Sequence, residues 1–117
     1  MGAMIILMWG NSASLNFNNV SFSFGGWIYP NVMDIGGLGN RPFGKTQNIF
    51  STYQIRTKSS GAVEFYLRDS QGDNTGFVGS VSTFQPNNWI HVFVTADQVG
   101  EVATLYINGV AEASASL

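Results

Sequence analysis

Hydrophobic and polar residues alternate along several short stretches of the chain, and turn-forming residues separate these stretches. In the stretch WIHVFVTA, Ile90, Val92 and Val94 occupy alternate positions, and Trp89 and His91 stand between them. Successive side chains of a β-strand point to opposite faces. The pattern therefore predicts a strand with one aliphatic face and one mixed aromatic-polar face.

Similar stretches recur along the whole chain, which is typical of an antiparallel two-sheet β-sandwich or a barrel. Turn signals separate them at Ser59–Gly61, at Gly100 and at the Asn-Gly pair 108–109, a pair that favours a type I′ hairpin. No sustained helical periodicity is present, and we predict an irregular loop over residues 30–45. The predicted strands are 5–9, 13–17, 21–29, 47–57, 62–69, 76–81, 89–96, 102–107 and 110–116.

The alternation also predicts which faces are buried. In the stretch 21–29, Phe22, Phe24 and Ile28 alternate with serines and with the rings of Trp27 and Tyr29. We expect the aliphatic faces to form a core between two sheets. The mixed faces would then lie on the outside of one sheet, against a ligand, a partner or a covering loop.

Composition narrows the class of protein. The chain has 117 residues, 44% of them hydrophobic and 10% charged, which predicts one folded domain over 1–117, with residues 1–4 a candidate cloning remnant. A net charge of −2 with five Lys and Arg argues against nucleic-acid binding. The absence of Cys excludes disulfides and thiolate metal sites, and no apolar run predicts a membrane span.

Four segments of the sequence resemble a known family. SFSFGGWIYP resembles the Phe-Ser-Ile-x-x-Trp-Val-x-Pro strand of laminin-G-like jelly rolls, which belong to the concanavalin A-like lectin/glucanase superfamily, and NIFSTYQIRTKSSGAVEFYLRDSQGD resembles the next two strands of these domains. NNWIHVFVTADQVGEVATLYINGV resembles the Trp-x-His-Val hairpin of these domains, and ASLNFNN is similar to their opening strand. The resemblance implies an all-β jelly-roll sandwich, shortened at its C-terminus, and an extracellular or cell-surface location.

The chain departs from the family pattern in two places. Family members usually continue beyond the Asn-Gly hairpin, whereas this chain ends at Leu117, and their opening strand is normally followed by a longer excursion that is absent here. Three explanations stay open. The predicted strands 5–9 and 110–116 close the sheets of a minimal domain, or the chain is a fragment, or a second copy covers the exposed edges in a homodimer.

The residues that catalysis by this superfamily requires are missing. The resemblance implies a Glu-x-Asp-x-x-Glu strand in a glucanase, and here Glu64 alternates with Tyr66 and Arg68. His91 is the single histidine and lies within a predicted strand, which argues against a Ser-His-Asp triad. We therefore predict that the protein is not an enzyme.

Calcium is a candidate ligand because related laminin-G-like domains often hold it with loop carboxylates. The resemblance implies Asp69 and Asp73 as candidate metal ligands, with Asp34 a further one. The segment DSQGDN lacks the central Gly and the closing Glu of an EF-hand loop. A solvated turn is the favoured interpretation of these residues.

The mixed face contains the candidate binding residues. Aromatic rings beside hydroxyls and amides suit sugars, which have apolar C–H faces and polar rims. We predict a non-catalytic module that binds a glycan or a protein surface; the alternative is a structural domain that self-assembles through its edge strands and aromatic face, or rings that pack beneath the long loop. The candidate residues are Trp27, Tyr29, Asp34, Asn40, Arg41, His91 and Tyr106.

Overall fold

The computed structural model describes residues 20–37, 39–46, 52–68 and 74–117. Eight β-strands run through these residues: β1 (Phe22–Ile28), β2 (Asn40–Thr46), β3 (Thr52–Thr57), β4 (Val63–Arg68), β5 (Asn74–Gly79), β6 (Ile90–Asp97), β7 (Val102–Ile107) and β8 (Val110–Ser116). Within the described ranges there is no helix, and so none with the length and apolarity to cross a membrane. The predicted all-β class is confirmed.

The strands form two four-stranded antiparallel sheets. Sheet A has the order β1-β6-β7-β8, and sheet B has the order β2-β3-β4-β5. Neighbouring strands of sheet B are consecutive in the chain. In sheet A, β1 pairs with β6, so the four strands of sheet B lie between these two partners in the sequence. The two sheets pack face to face around a shared core, which is the predicted two-sheet sandwich.

The aliphatic faces of both sheets meet in the core, as the alternation predicts. In β6 and β7 every second residue is buried, and Val94 and Leu105 are fully inaccessible to solvent. Phe24 of sheet A packs its ring edge-on against Tyr53 and Phe65 of sheet B, at centroid distances of 5.3 and 6.0 Å. The buried cluster comprises Ile28, Met33, Ile55, Val63, Phe65, Val78, Ile90, Val92, Val94, Ala103, Leu105 and Ile107.

The hairpin between β7 and β8 has the predicted type I′ character. Asn108 and Gly109 both have positive φ angles, 52° and 79°, which this turn requires at its two central residues. Asn108 also ties the turn to β6: its backbone N–H donates to His91 O at 2.8 Å, and its Oδ1 accepts from His91 N at 2.9 Å. The turn therefore fixes the position of His91 in the sheet.

The prediction of an irregular loop over residues 30–45 is wrong in its second half, where β2 begins at Asn40. Pro42 argues against a strand at this position, because proline cannot donate a hydrogen bond to a neighbouring strand and is confined to edge strands and bulges. Strand β2 is an end strand of sheet B, and its register shifts between Asn40 and Phe43, so Pro42 sits at a bulge. Gly44 allows the close approach to β3, since an added Cβ would lie 2.6 Å from Gln54 Cβ.

The other predicted strands agree with the structure to within a few residues wherever it describes them. The predicted strands 102–107 and 110–116 coincide with β7 and β8, and β3 begins at Thr52. The predicted strands 5–9 and 13–17, together with residues 47–51, lie outside the described residues. The question of how the chain ends close the sheets therefore stays open.

Candidate functional site

Two cross-strand pairs of rings lie on the outer face of sheet A, at the end where β1 leaves the sheet. Trp27 pairs with His91 in the β1–β6 register, and their rings meet edge-on with centroids 5.0 Å apart. Directly beyond the last pair of that register, Ile28 and Ile90, the rings of Tyr29 and Trp89 meet edge-on at 5.4 Å. We call these four residues the aromatic stripe. Edge-to-face geometry is favourable for such rings.

The aromatic stripe is open to solvent. Trp27 is 62% exposed, Trp89 is 64% exposed and Tyr29 is 41% exposed, while His91 is partly buried between its neighbours. The two indole rings line an open concavity. Large apolar side chains are normally covered in a folded domain, so the two adjacent exposed indoles make this face the candidate contact surface.

The backbone around the aromatic stripe is held firmly. Ile28 and Ile90 lie opposite each other between the two ring pairs, and both side chains are buried in the core. The loops that leave the two strands are joined by a hydrogen bond in which Asn87 N donates to Pro30 O at 2.7 Å. The sheet therefore presents the rings from fixed backbone positions.

The mixed face continues across the sheet beyond the stripe. Tyr106 of β7 lies opposite Phe93 of β6, one row further from the β1–β2 loop than Trp27 and His91. The next row runs through all four strands of sheet A and consists of hydroxyl side chains, of which Thr104 and Ser114 are hydrogen-bonded at 3.0 Å. That row is Ser23, Thr95, Thr104 and Ser114. Ring rows and a hydroxyl row thus lie side by side.

The predicted loop residues have different surroundings. Asp34 Oδ1 accepts a hydrogen bond from Gly39 N at 2.8 Å, and Asn40 Nδ2 donates to Val32 O at 2.9 Å. These bonds lie within the loop that joins β1 to β2 and stabilise its course. Arg41 is an exposed residue of β2, in sheet B. The structure therefore brings Trp27, Tyr29, His91 and Tyr106 together on sheet A, whereas these three polar residues belong to the loop and to the other sheet.

Charge is divided unequally between the two sheets. All five Lys and Arg residues of the chain fall within residues 41–68, on or directly beside β2, β3 and β4. The strands and hairpins of sheet A contain carboxylates but no Lys or Arg: Asp97 and Glu101 are in the β6–β7 hairpin region, and Glu112 is in β8. None of these carboxylates is on the rows of the aromatic stripe.

The carboxylates of sheet A have local structural roles. The backbone N–H of Gly100 lowers the pKa of Asp97 below its ordinary value of 3.8, against an opposing effect of burial, and Val99 N and Ser21 Oγ act in the same direction as Gly100. Asp97 therefore stabilises the hairpin turn and attaches the start of β1 to it. In the same way, the backbone N–H of Ser82 lowers the pKa of Glu112.

The Tyr66 ring on the outer face of sheet B is covered by neighbouring side chains. Arg56 Nε donates to Glu64 Oε2 at 2.6 Å, and the guanidinium groups of Arg56 and Arg68 lie 4.8 and 5.1 Å from the centre of the Tyr66 ring. Tyr66 is only 8% exposed as a result, although it points away from the core. Glu64 is thus occupied by an ion pair.

In the described part of the chain, no three His, Asp or Glu side chains come together in a way that could hold a metal ion. The candidate ligands Asp69 and Asp73 lie outside the described residues.

Sequence reasoning omitted Trp89 and Phe93 from its candidates, although both alternate with buried residues in the same strand pattern that identified His91. The alternation was therefore a sufficient signal for them.

Comparison with known proteins identifies the family. The family model Laminin_G_3, of the concanavalin A-like lectin/glucanases superfamily, matches residues 9–117. No curated protein and no solved structure matches the chain. The matched region includes both sheets and the aromatic stripe, and its family suggests a binding module. The chain belongs to the Laminin_G_3 family of the concanavalin A-like lectin/glucanase superfamily.

Proposed function

We propose that this domain is a non-catalytic recognition module that binds a carbohydrate or a protein surface through the aromatic stripe and the adjacent loops. One observation carries the proposal: two neighbouring cross-strand ring pairs stand on a rigid sheet with both indoles more than half exposed. Aromatic rings provide a large contact area at a small loss of side-chain entropy.

The chemistry around the stripe supports a ligand with both apolar and polar groups. A sugar ring can place its apolar C–H face on Trp27 or Trp89, and its hydroxyls can reach polar side chains beside them. The row of serine and threonine hydroxyls lies two rows from Trp27, at about 7 Å per row. Sheet A has no Lys or Arg, which favours an uncharged ligand over an acidic one.

Two observations support a role without catalysis. Retaining glycosidases need two carboxyl groups about 5 to 5.5 Å apart. Glu64 is joined to Arg56 by an ion pair. The paired Glu-x-Asp-x-x-Glu motif is also absent from the sequence.

A glycan array with purified protein tests the proposal, in the presence of calcium and then of a chelator. We expect binding that falls at least tenfold in Trp27→Ala and in Trp89→Ala, with the thermal transition retained. Phe77→Ala is the matched control, because Phe77 is a 45% exposed ring on sheet B. Equal loss in all three variants, or binding that survives both Trp substitutions, would contradict the proposal. Loss of binding on chelation would show that binding requires calcium.

A second candidate function is self-assembly, and the exposed indoles favour it too. Exposed apolar patches often mark protein interfaces, and β8 is an end strand of sheet A in the part of the chain that the structure describes. Sedimentation velocity across a range of concentrations separates the two functions. A dimer that dissociates in Trp27→Ala supports assembly, whereas a monomer that binds glycans supports recognition.

A further inference from the structure

The turn between β7 and β8 contains the one Asn-Gly pair of the chain, Asn108-Gly109. In such a pair the backbone N of the glycine can approach and attack the side-chain carboxamide of the asparagine, because glycine places no side chain in the way. Both residues are exposed to solvent. Asn108 is therefore accessible to a deamidation that needs only water and no enzyme.

Deamidation of Asn108 takes place in two steps. The backbone N of Gly109 bonds to Cγ of Asn108 and passes its proton to the leaving Nδ2, so that ammonia departs and a cyclic imide remains. Water then adds to one of the two imide carbonyls. One direction of opening gives aspartate on the original backbone. The other gives isoaspartate, in which the backbone runs through Cβ and Cγ and is longer by one carbon atom.

The folded turn holds the reacting atoms apart. Ring closure requires Gly109 N and Cβ of Asn108 on the same side of the Asn108 Cα–C bond. The φ angles of 52° and 79° are those of a type I′ turn, whose first central residue has a ψ of about +30°, so that the next backbone N points away from Cβ. The side chain is also held on β6, because Asn108 Oδ1 accepts a hydrogen bond from His91 N at 2.9 Å.

We propose that Asn108 is a deamidation site that the native hairpin protects and that reacts only when the β7–β8 turn opens. Opening breaks the two hydrogen bonds between Asn108 and the backbone of His91, and each neutral bond of this kind changes an equilibrium constant about fivefold. When the turn opens and closes quickly, the rate of deamidation follows the population of the open turn. Native protein should therefore deamidate at Asn108 at least about tenfold more slowly than the same sequence without a hairpin.

The two products have different effects on the aromatic stripe. An aspartate at position 108 keeps a side-chain oxygen that can accept from His91 N, so the turn can form again. Isoaspartate lengthens the backbone within a two-residue turn that Ile107 and Val110 close, so the two bonds to His91 can no longer form together. Because His91 is the cross-strand partner of Trp27, isoaspartate loosens the sheet beneath this ring pair. None of these steps involves a ligand.

Incubation of the purified protein in mildly alkaline buffer tests the protection. Deamidation at Asn108 is followed by digestion in acid and mass spectrometry. It is measured in native protein, in protein unfolded in guanidinium chloride and in a synthetic peptide of residues 105–112. The expected rate in native protein is at least about tenfold below that in the other two samples. A smaller difference overturns the proposal.

Two variants of β8 test whether opening of this turn controls the rate. Val110→Gly leaves the Asn-Gly pair intact but weakens the strand beside it, where Val110 pairs with Ile107 and is 61% exposed. It should raise the native rate about threefold or more. Ser116→Gly is the matched control, because Ser116 is exposed at the other end of the same strand, and its rate should equal that of wild type. Equal rates in the two variants contradict control by the turn.

Hydrogen exchange of the His91 backbone N–H, measured by NMR, tests the consequence for the stripe. The isoaspartate form, separated from aged protein by chromatography, should exchange this proton at least about fivefold faster than unmodified protein, because its acceptor is lost. Asn108→Asp is the control with the new charge but the original backbone, and it should keep most of the protection. Full protection of His91 N–H in the isoaspartate form would overturn the predicted loosening.

Discussion

Gly25 controls how closely β1 approaches β6, and its replacement by alanine should be strongly destabilising. An added Cβ would lie 2.1 Å from the carbonyl oxygen of Val92 and 2.7 Å from Phe93 Cα. Both atoms belong to the backbone of β6, so no side-chain rotation can relieve the contact. Strand β1 would have to move away by about 1 Å, since Cβ contacts below about 3 Å are not tolerated in packed interiors.

The expected loss follows from what that movement breaks. Overpacking in a close-packed region costs about 1 to 3 kcal/mol, and weakening two ladder hydrogen bonds adds about 1 kcal/mol each. We therefore expect Gly25→Ala to lower the free energy of unfolding by about 3 to 5 kcal/mol. Because a loss of 1 kcal/mol lowers the Tm of a domain of this size by about 4 °C, the fall in Tm should exceed about 10 °C.

Gly26→Ala is the matched control for this prediction. Its added Cβ would meet only the tip of the Phe43 ring, at 3.1 Å, and that side chain can shift by a few tenths of an ångström. We expect its free energy of unfolding to stay within about 1 kcal/mol of wild type. Urea denaturation followed by tryptophan fluorescence measures both variants. Equal stability of Gly25→Ala and Gly26→Ala would show that the assigned register between β1 and β6 is wrong.

Three further predictions concern the core, the loop and the hairpin. Leu105→Ala removes a fully buried side chain and should lower the free energy of unfolding by about 2 to 5 kcal/mol in urea denaturation; a loss below 1 kcal/mol would place Leu105 outside the core. Thr57→Val removes the buried hydroxyl that donates to Met33 O, so calorimetry should show a loss of about 1 to 3 kcal/mol, while Thr104→Val, on the outer face, should change stability by less than about 0.5 kcal/mol. Asp97→Asn should lower the Tm more at pH 7 than at about pH 2.5: the pKa of Asp97 is lowered in the folded protein, so its carboxylate stabilises the fold above 3.8 and loses this effect as the pH falls through the lowered value. A difference in Tm that is the same at both pH values would contradict the role assigned to Asp97.

The sequence was most informative where two local signals agreed. In the hairpin of β7 and β8, alternating aliphatic residues are followed by an Asn-Gly pair. Together these two signals predict the strand bounds, the turn type and the buried face correctly. In the β6–β7 turn the signal was less specific. Gly100 marked the turn, but the residue with positive φ there is Glu101, at 53°. The turn N–H groups bonded to Asp97 fix that geometry, and the glycine alone does not reveal it.

Strand β2 shows why local patterns fail at an edge. Its Pro42 and Gly44 are ordinary turn residues, and only pairing with β3 shows that the proline lies at a bulge and the glycine at a close strand contact. The ring pairs of the candidate site are likewise long-range features. Alternation places Trp27 and His91 on mixed faces, but only the β1–β6 register, across a separation of 64 residues by number (91 − 27), places them opposite each other.

Solvent accessibility of individual side chains tests most directly whether the aliphatic faces are inside and the rings outside. In NMR spectra recorded with a soluble gadolinium chelate, the indole protons of Trp27 and Trp89 should relax strongly, since both rings are more than 60% exposed. The methyl groups of Val94 and Leu105, which are fully buried, should be unaffected. Protected indoles together with relaxed Val94 and Leu105 methyls would mean that sheet A presents its opposite face to solvent, and the proposed binding surface would not exist.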